Sequence, residues 1–149
     1  MGKNKTFPSI FFIATFFAVF FDQITKFFVV NLMKKFDGNI DIVSFFSLTL
    51  VKNKGIVFGL FSNEKTKIFI IFFSLIAIFF ITFYVFKFEN YRQFSLGLIT
   101  GGIIGNLIDR IKYGYVIDFI NFHFFPVFNF ADTFVSIGII LFFLKYLRE

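Results

Sequence analysis

From Ile68 to Phe86 the chain runs 19 residues without a charge, polar only at Ser74, Thr82 and Tyr84. Wound as an α-helix at about 1.5 Å per residue, that stretch matches a hydrocarbon core of roughly 30 Å. Composition makes the bilayer its natural solvent. The sequence is 58% hydrophobic and 16% charged, where a soluble domain carries roughly 25% charged residues. A soluble monomer is excluded. At 149 residues the chain has the length of one domain, read as a single integral-membrane unit over residues 1–149.

Three more apolar segments accompany the first. Phe7 to Phe21 is interrupted by Asp22 and Lys26 and resumes through Met33; Phe94 to Ile108 is rich in Gly; Phe134 to Leu144 extends from Ala131 to Tyr146. The pattern predicts an all-α membrane fold with four transmembrane helices, at about 8–33, 68–86, 94–108 and 131–146. Lys3 and Lys5 also suit a signal peptide, but no small-residue cleavage site follows, so the first segment is read as an uncleaved span. Four spans put both termini on one side. Basic residues are densest there (Lys3, Lys5, Lys87, Arg92, Lys145 and Arg148), which places the termini in the cytoplasm, although the opposite side holds more lysines in total. The loop before the second span contains Ile42 to Val51, loosely alternating and β-prone. It predicts a small extracytoplasmic β-element at about 40–59.

Several chemistries are excluded outright. Without cysteine there is no disulfide, thiolate nucleophile or Cys-ligated metal, and His123 alone cannot build a multi-His site. No cofactor or metal is expected. The net charge of +6 suits anionic lipid headgroups better than nucleic acid, because no basic patch interleaved with aromatics stands outside the apolar segments.

Ionisable groups at membrane depth cost at least ~2.5–3.5 kcal/mol each, so each requires a reason. Asp22 and Lys26 are one turn apart, acid first, and read as a self-neutralising pair that supports the fold. Gly97, Gly101 and Gly105 recur every four residues, a helix-packing face. Asn106, Asp109 and Arg110 follow within one turn; Asp109 and Arg110 read as an interfacial pair, while Asn106 points an amide inward. Asn53-Lys54-Gly55, before the second span, is either a loop ending or a grip for an extended peptide. Asp118 lies between apolar residues, and Asp132 opens the fourth span three residues after Asn129. One reading makes them a turn residue and a capping-box acid. The other makes them a carboxylate pair that shares one proton, with the helix dipole favouring charge on Asp132. Such a pair activates water as general base and protonates a leaving amine as general acid.

Taken together, the blocks Asp22-Gln23-Ile24-Thr25-Lys26, Asn53-Lys54-Gly55-Ile56-Val57-Phe58, Gly101 through Arg110, Val116-Ile117-Asp118-Phe119 and Phe128-Asn129-Phe130-Ala131-Asp132 resemble lipoprotein signal peptidase, the type II signal peptidase family of bacteria. The resemblance covers most of the chain, in order. It implies an aspartyl endopeptidase of the cytoplasmic membrane, acting at the extracytoplasmic face; a monomer is expected. Its substrate would be a prolipoprotein whose Cys bears diacylglycerol, cut just before that Cys. By the same resemblance Asp118 and Asp132 are the catalytic pair. Asn53, Gly55, Asn106, Arg110, Asn129 and Ala131 line the substrate site, and Asp22 and Lys26 support the fold. Two departures stand out: Ile56 replaces a usual Ala, and the Asp118–Asp132 segment is short for a flap. The rival reading from the residues alone is a small proton-coupled carrier using Asp22, Lys26, Asp118 and Asp132 as a relay. Asp109, Asp118 and Asp132 cluster at one face, which favours surface chemistry over a transport path.

Overall fold

The computed structural model describes residues 7–55 and 64–146. Four helices carry most of it: α1 (Ser9–Met33), α2 (Glu64–Tyr84), α3 (Asn90–Tyr113) and α4 (Phe130–Tyr146). A hairpin of β1 (Asn39–Val43) and β2 (Phe46–Asn53) follows α1, and β3 (Val116–Phe122) follows α3. The fold is therefore mostly helical with a small three-stranded sheet. α1, α3 and α2 with its 3₁₀ extension to Lys87 are long and apolar enough to cross a membrane; α4 is a shorter apolar helix. Phe16, Phe79 and Phe143 stand more than half exposed on their outer surfaces, which suits lipid as the surrounding medium.

α3 is the most buried of the long helices, and its glycines explain why. A Cβ on Gly97 would meet the Phe11 carbonyl and Ala14, and one on Gly101 would meet Thr15 and Ala18. The predicted glycine face thus meets a matching small-residue stripe on α1, at Ala14 and Ala18, which are themselves buried. Contacts advance along both helices in the same direction, so α1 and α3 run parallel. α4 packs antiparallel on another face of α3, with Gly102 against Ala131 and Val135, and Gly138 against Ser95 and Ile99. None of the residues of α2 is buried.

The sheet is more elaborate than the sequence suggested. Ile42 to Val51 is not one strand: a turn at Ser44 and Phe45 folds it into the β1–β2 hairpin. No Gly or Asn marks that turn, and β-prone residues run through it. β3 then pairs antiparallel with β2, Asn53 opposite Val116 and Val51 opposite Asp118. The second outer segment is thus a strand as well, although an all-α reading left it outside the β-element. α3 also runs beyond the predicted 94–108 at both ends, closed at Tyr113 by Gly114 in the left-handed conformation (φ +81°). Ile56 and the rest of the predicted β-element to Gly59 lie outside the described residues.

Candidate active site

The chain reverses sharply between β3 and α4. Phe128 returns antiparallel to Ile120, with backbone bonds of 2.8 and 3.1 Å between them. This return brings the start of α4 beside the middle of β3, and with it Asp132 beside Asp118. Asn129 sits at the junction, fully buried. Its side-chain NH₂ donates to Asp118 Oδ1 at 2.7 Å, and its Oδ1 accepts from the Asp132 N–H at 3.0 Å. Asp132 Oδ2 in turn accepts from the Asn129 N–H at 3.3 Å. The capping box expected from the sequence therefore also ties both acids to one residue.

Each acid has a second amide donor. Asn53 Nδ2 donates to Asp118 Oδ2 at 2.9 Å, and Asn106 Nδ2 donates to Asp132 Oδ1 at 2.8 Å. The sheet register explains the first bond. Asn53 and Asp118 are diagonal neighbours on one face of the β2–β3 pair, within reach of a long side chain. Gly55 fixes its sense, because the Gly55 N–H donates to Asn53 Oδ1 at 3.1 Å and leaves only the NH₂ to face the acid. Asp118 is 2% exposed. Burial pushes its carboxyl up to about 6, with the Asp132 carboxylate adding to the rise and the Asn53 and Asn129 donors opposing it.

The acids open into a cavity of about 460 Å³ lined by Asn53, Asn106, Arg110, Asp118, Asp132 and, on its apolar side, Phe125 through Phe128 with Ile137. The short stretch between the aspartates thus supplies a wall. Arg110 interacts electrostatically with Asp132, Asp118 and, less strongly, Asp109. Gly55, Asn129 and Ala131 are buried and are not part of its lining. Ala131 is fully buried and donates its N–H to Asp22 Oδ1 at 2.9 Å.

Below the acids lies an ionic cluster only half visible in the sequence. Lys26 Nζ sits 2.8 Å from Asp22, as the spacing predicted, and also 2.8 Å from Asp109. Asp109 therefore pairs across helices with Lys26, where the sequence reading had paired it with Arg110. Its carboxylate accepts from the Ile117 N–H at 3.1 Å, and Gln23 bridges it to Asp22 with bonds of 3.1 and 3.2 Å. Lys26 also donates to Asn106 Oδ1 at 3.2 Å. Asp22 fits because Gly105 lacks a Cβ, which would strike its carboxylate. Sequence reasoning missed Gln23 and the role of Asp109. The available signal was three ionisable groups on two helices that the glycine face already placed in contact.

These features define a mostly helical membrane protein with two carboxylates held by amides in a cavity beside its sheet. Comparison with known proteins narrows the class. Residues 14–148 match the family model of signal peptidase (SPase) II. The lipoprotein signal peptidase of Clostridium tetani is 38% identical over 139 residues, 88% of each chain. That of Caldanaerobacter subterraneus subsp. tengcongensis is 43% identical over 127 residues, 84% of this chain and 87% of its own. A solved structure described as a bacterial membrane enzyme superposes with a TM-score of 0.86 at 28% identity, covering 99% of this chain and 93% of the other. The chain belongs to the signal peptidase II family, a family of bacterial membrane proteases.

Proposed function

We propose that this chain removes the signal peptide from diacylglyceryl-modified prolipoproteins, cleaving just before the lipid-bearing Cys, and that it does so as an aspartyl endopeptidase with Asp118 and Asp132 as its catalytic pair. The observation that carries the reading is the Asn129 clamp, which holds two carboxylates from β3 and α4 at one cavity. The names of the relatives supply the substrate class.

The chemistry follows from the surroundings of each acid. A carboxyl raised to about 6 exchanges its proton within reach of neutral pH. Asp132, in the first turn of α4, stands where the helix dipole favours negative charge. Asp132 takes a proton from a water, whose oxygen attacks the scissile carbonyl. Asp118 donates its proton to the carbonyl oxygen as that oxygen gains charge. The tetrahedral species collapses when Asp132 returns its proton to the leaving amine and Asp118 recovers its own. Asn53, Asn106 and Arg110 face the same cavity and supply donors and acceptors for an unwound substrate backbone, whose own helical bonds are open.

The proposal includes four crossings. α4, at 17 residues, spans about 25 Å and falls at the short end of what crosses a bilayer. With the termini in the cytoplasm, the sheet and both aspartates lie on the extracytoplasmic side, where a signal peptide inserted from the cytoplasm presents its cleavage site. Incubating the purified protein with a diacylglyceryl-modified prolipoprotein tests the reading. Cleavage before the modified Cys is expected, and an intact substrate under conditions where the protein is folded would overturn it.

A further inference from the structure

The sheet separates two cavities. Val116 and Asp118 face the carboxylate cavity, whereas Tyr115 and Ile117 face a larger one of about 850 Å³ that shares none of its lining residues, as the alternation of a strand requires. The larger cavity is bounded by the last turns of α1, the end of α3 and the back of β2. Lys26, at its floor, is committed to Asp22 and Asp109. Lys34, Lys52 and Lys112, all exposed, are different. Among the described residues none of the three forms an ion pair with a carboxylate. Lys34 bonds only the Asn31 side chain, at 3.1 Å, and Lys52 and Lys112 lie over the Tyr115 and Tyr113 rings. Apart from Asp109, already paired with Lys26, the one acid in the lining is Asp37.

The remaining wall decides the class of ligand. Phe27, 61% exposed, and Val30 border the cavity from α1, a helix long and apolar enough to cross a membrane. The cavity therefore has an exposed apolar wall along one side and a cationic rim. We propose that it binds the phosphodiester headgroup of an anionic phospholipid, from the leaflet beside the sheet. The phosphate lies among Lys34, Lys52 and Lys112, and the acyl chains descend along Phe27 and Val30. A zwitterionic headgroup carries a cation that this rim would repel, and a soluble anion would leave the apolar wall unused. The site lies on the opposite face of the sheet from the acids and takes no part in the peptide chemistry.

Native mass spectrometry of the purified full chain tests this, using phosphatidylglycerol and phosphatidylcholine with matched acyl chains. One phosphatidylglycerol is expected to bind at least tenfold tighter than phosphatidylcholine. Lys34→Gln, Lys52→Gln and Lys112→Gln should each weaken it about fivefold, the effect of one lysine near an anionic lipid, and leave phosphatidylcholine unchanged. Lys65→Gln, an exposed lysine on α2, should change neither. Because the single variants alter only exposed side chains, the test does not depend on a triple variant that folds. Equal affinity for the two lipids would overturn the proposal, as would undiminished binding in all three variants or an equal loss in Lys65→Gln. Full displacement of phosphatidylglycerol by inorganic phosphate at equal concentration would assign the site to a free anion and overturn the lipid.

Discussion

At the scale of single residues, the acid pair invites two measurements. Asp118→Asn and Asp132→Asn keep shape and remove proton exchange, so each should lower cleavage of lipidated precursor at least about a hundredfold, the usual range for a lost acid or base. Both proteins should still accumulate. The second measurement is the pH dependence of stability. A buried carboxyl that rises from 3.8 to about 6 on folding holds its proton more tightly in the folded state. Stability therefore falls as pH climbs from 3.8 through about 6 and is flat above; the full cost is about 3 kcal/mol. The amide of Asp118→Asn escapes that cost but faces one of the two amide donors with its own NH₂, forfeiting about 1 kcal/mol. Asp118→Asn should thus melt higher than the parent at pH 8 and lose that advantage by pH 4, in detergent melts at the two values. Much of this was readable beforehand, since a carboxylate or amide in apolar sequence carries its own question. The partner of Asp109 was not. Arg110 is its neighbour in sequence, but adjacent residues on a helix point about 100° apart, and only the contact between α1 and α3 brings Lys26 to it.

Between elements, the ionic cluster acts as a weld. Asp22 joins α1 to the start of α4 through the Ala131 N–H, and Asp109 joins α3 to β3 through the Ile117 N–H. Lys26 is the one cation between both acids, so substitutions within the cluster are not equivalent. Asp22→Ala leaves Lys26 paired with Asp109 and should reduce the level of folded protein moderately. Lys26→Met leaves two buried carboxylates facing each other, a loss of about 3–5 kcal/mol for a broken buried pair. It should therefore accumulate less and melt lower than Asp22→Ala, a ranking that quantitative immunoblots and melts can check. The helices of this weld were legible because apolar length and the glycine repeat are local signals. β3 was not, since Val116-Ile117-Asp118-Phe119 is buried throughout and shows no alternation to mark it as a strand.

For the whole molecule, the proposed orientation makes a direct prediction. A cysteine placed at Asn39 should react with an impermeant thiol reagent in intact spheroplasts, and one at Asn90 should react only after lysis. Substrate choice is also set at this scale. In the proposed substrate the two acyl chains on the Cys would offer about 0.8 kcal/mol for each methylene buried, more than one side-chain pocket provides, so unlipidated precursor should remain essentially uncut by the purified protein in a gel-shift assay. α2 bears on all of this in an unexpected way. It buries none of its residues, yet α1 and α3 can lie parallel only if the chain crosses back between them. Its contribution is parity. Rewriting its outward face in other apolar residues should leave cleavage near the parental rate, because none of its residues is buried against the rest of the chain. Removing the crossing would invert α3, carry Asn106 and Asp109 to the opposite leaflet from Lys26, and leave the halves of the site on two sides of a membrane.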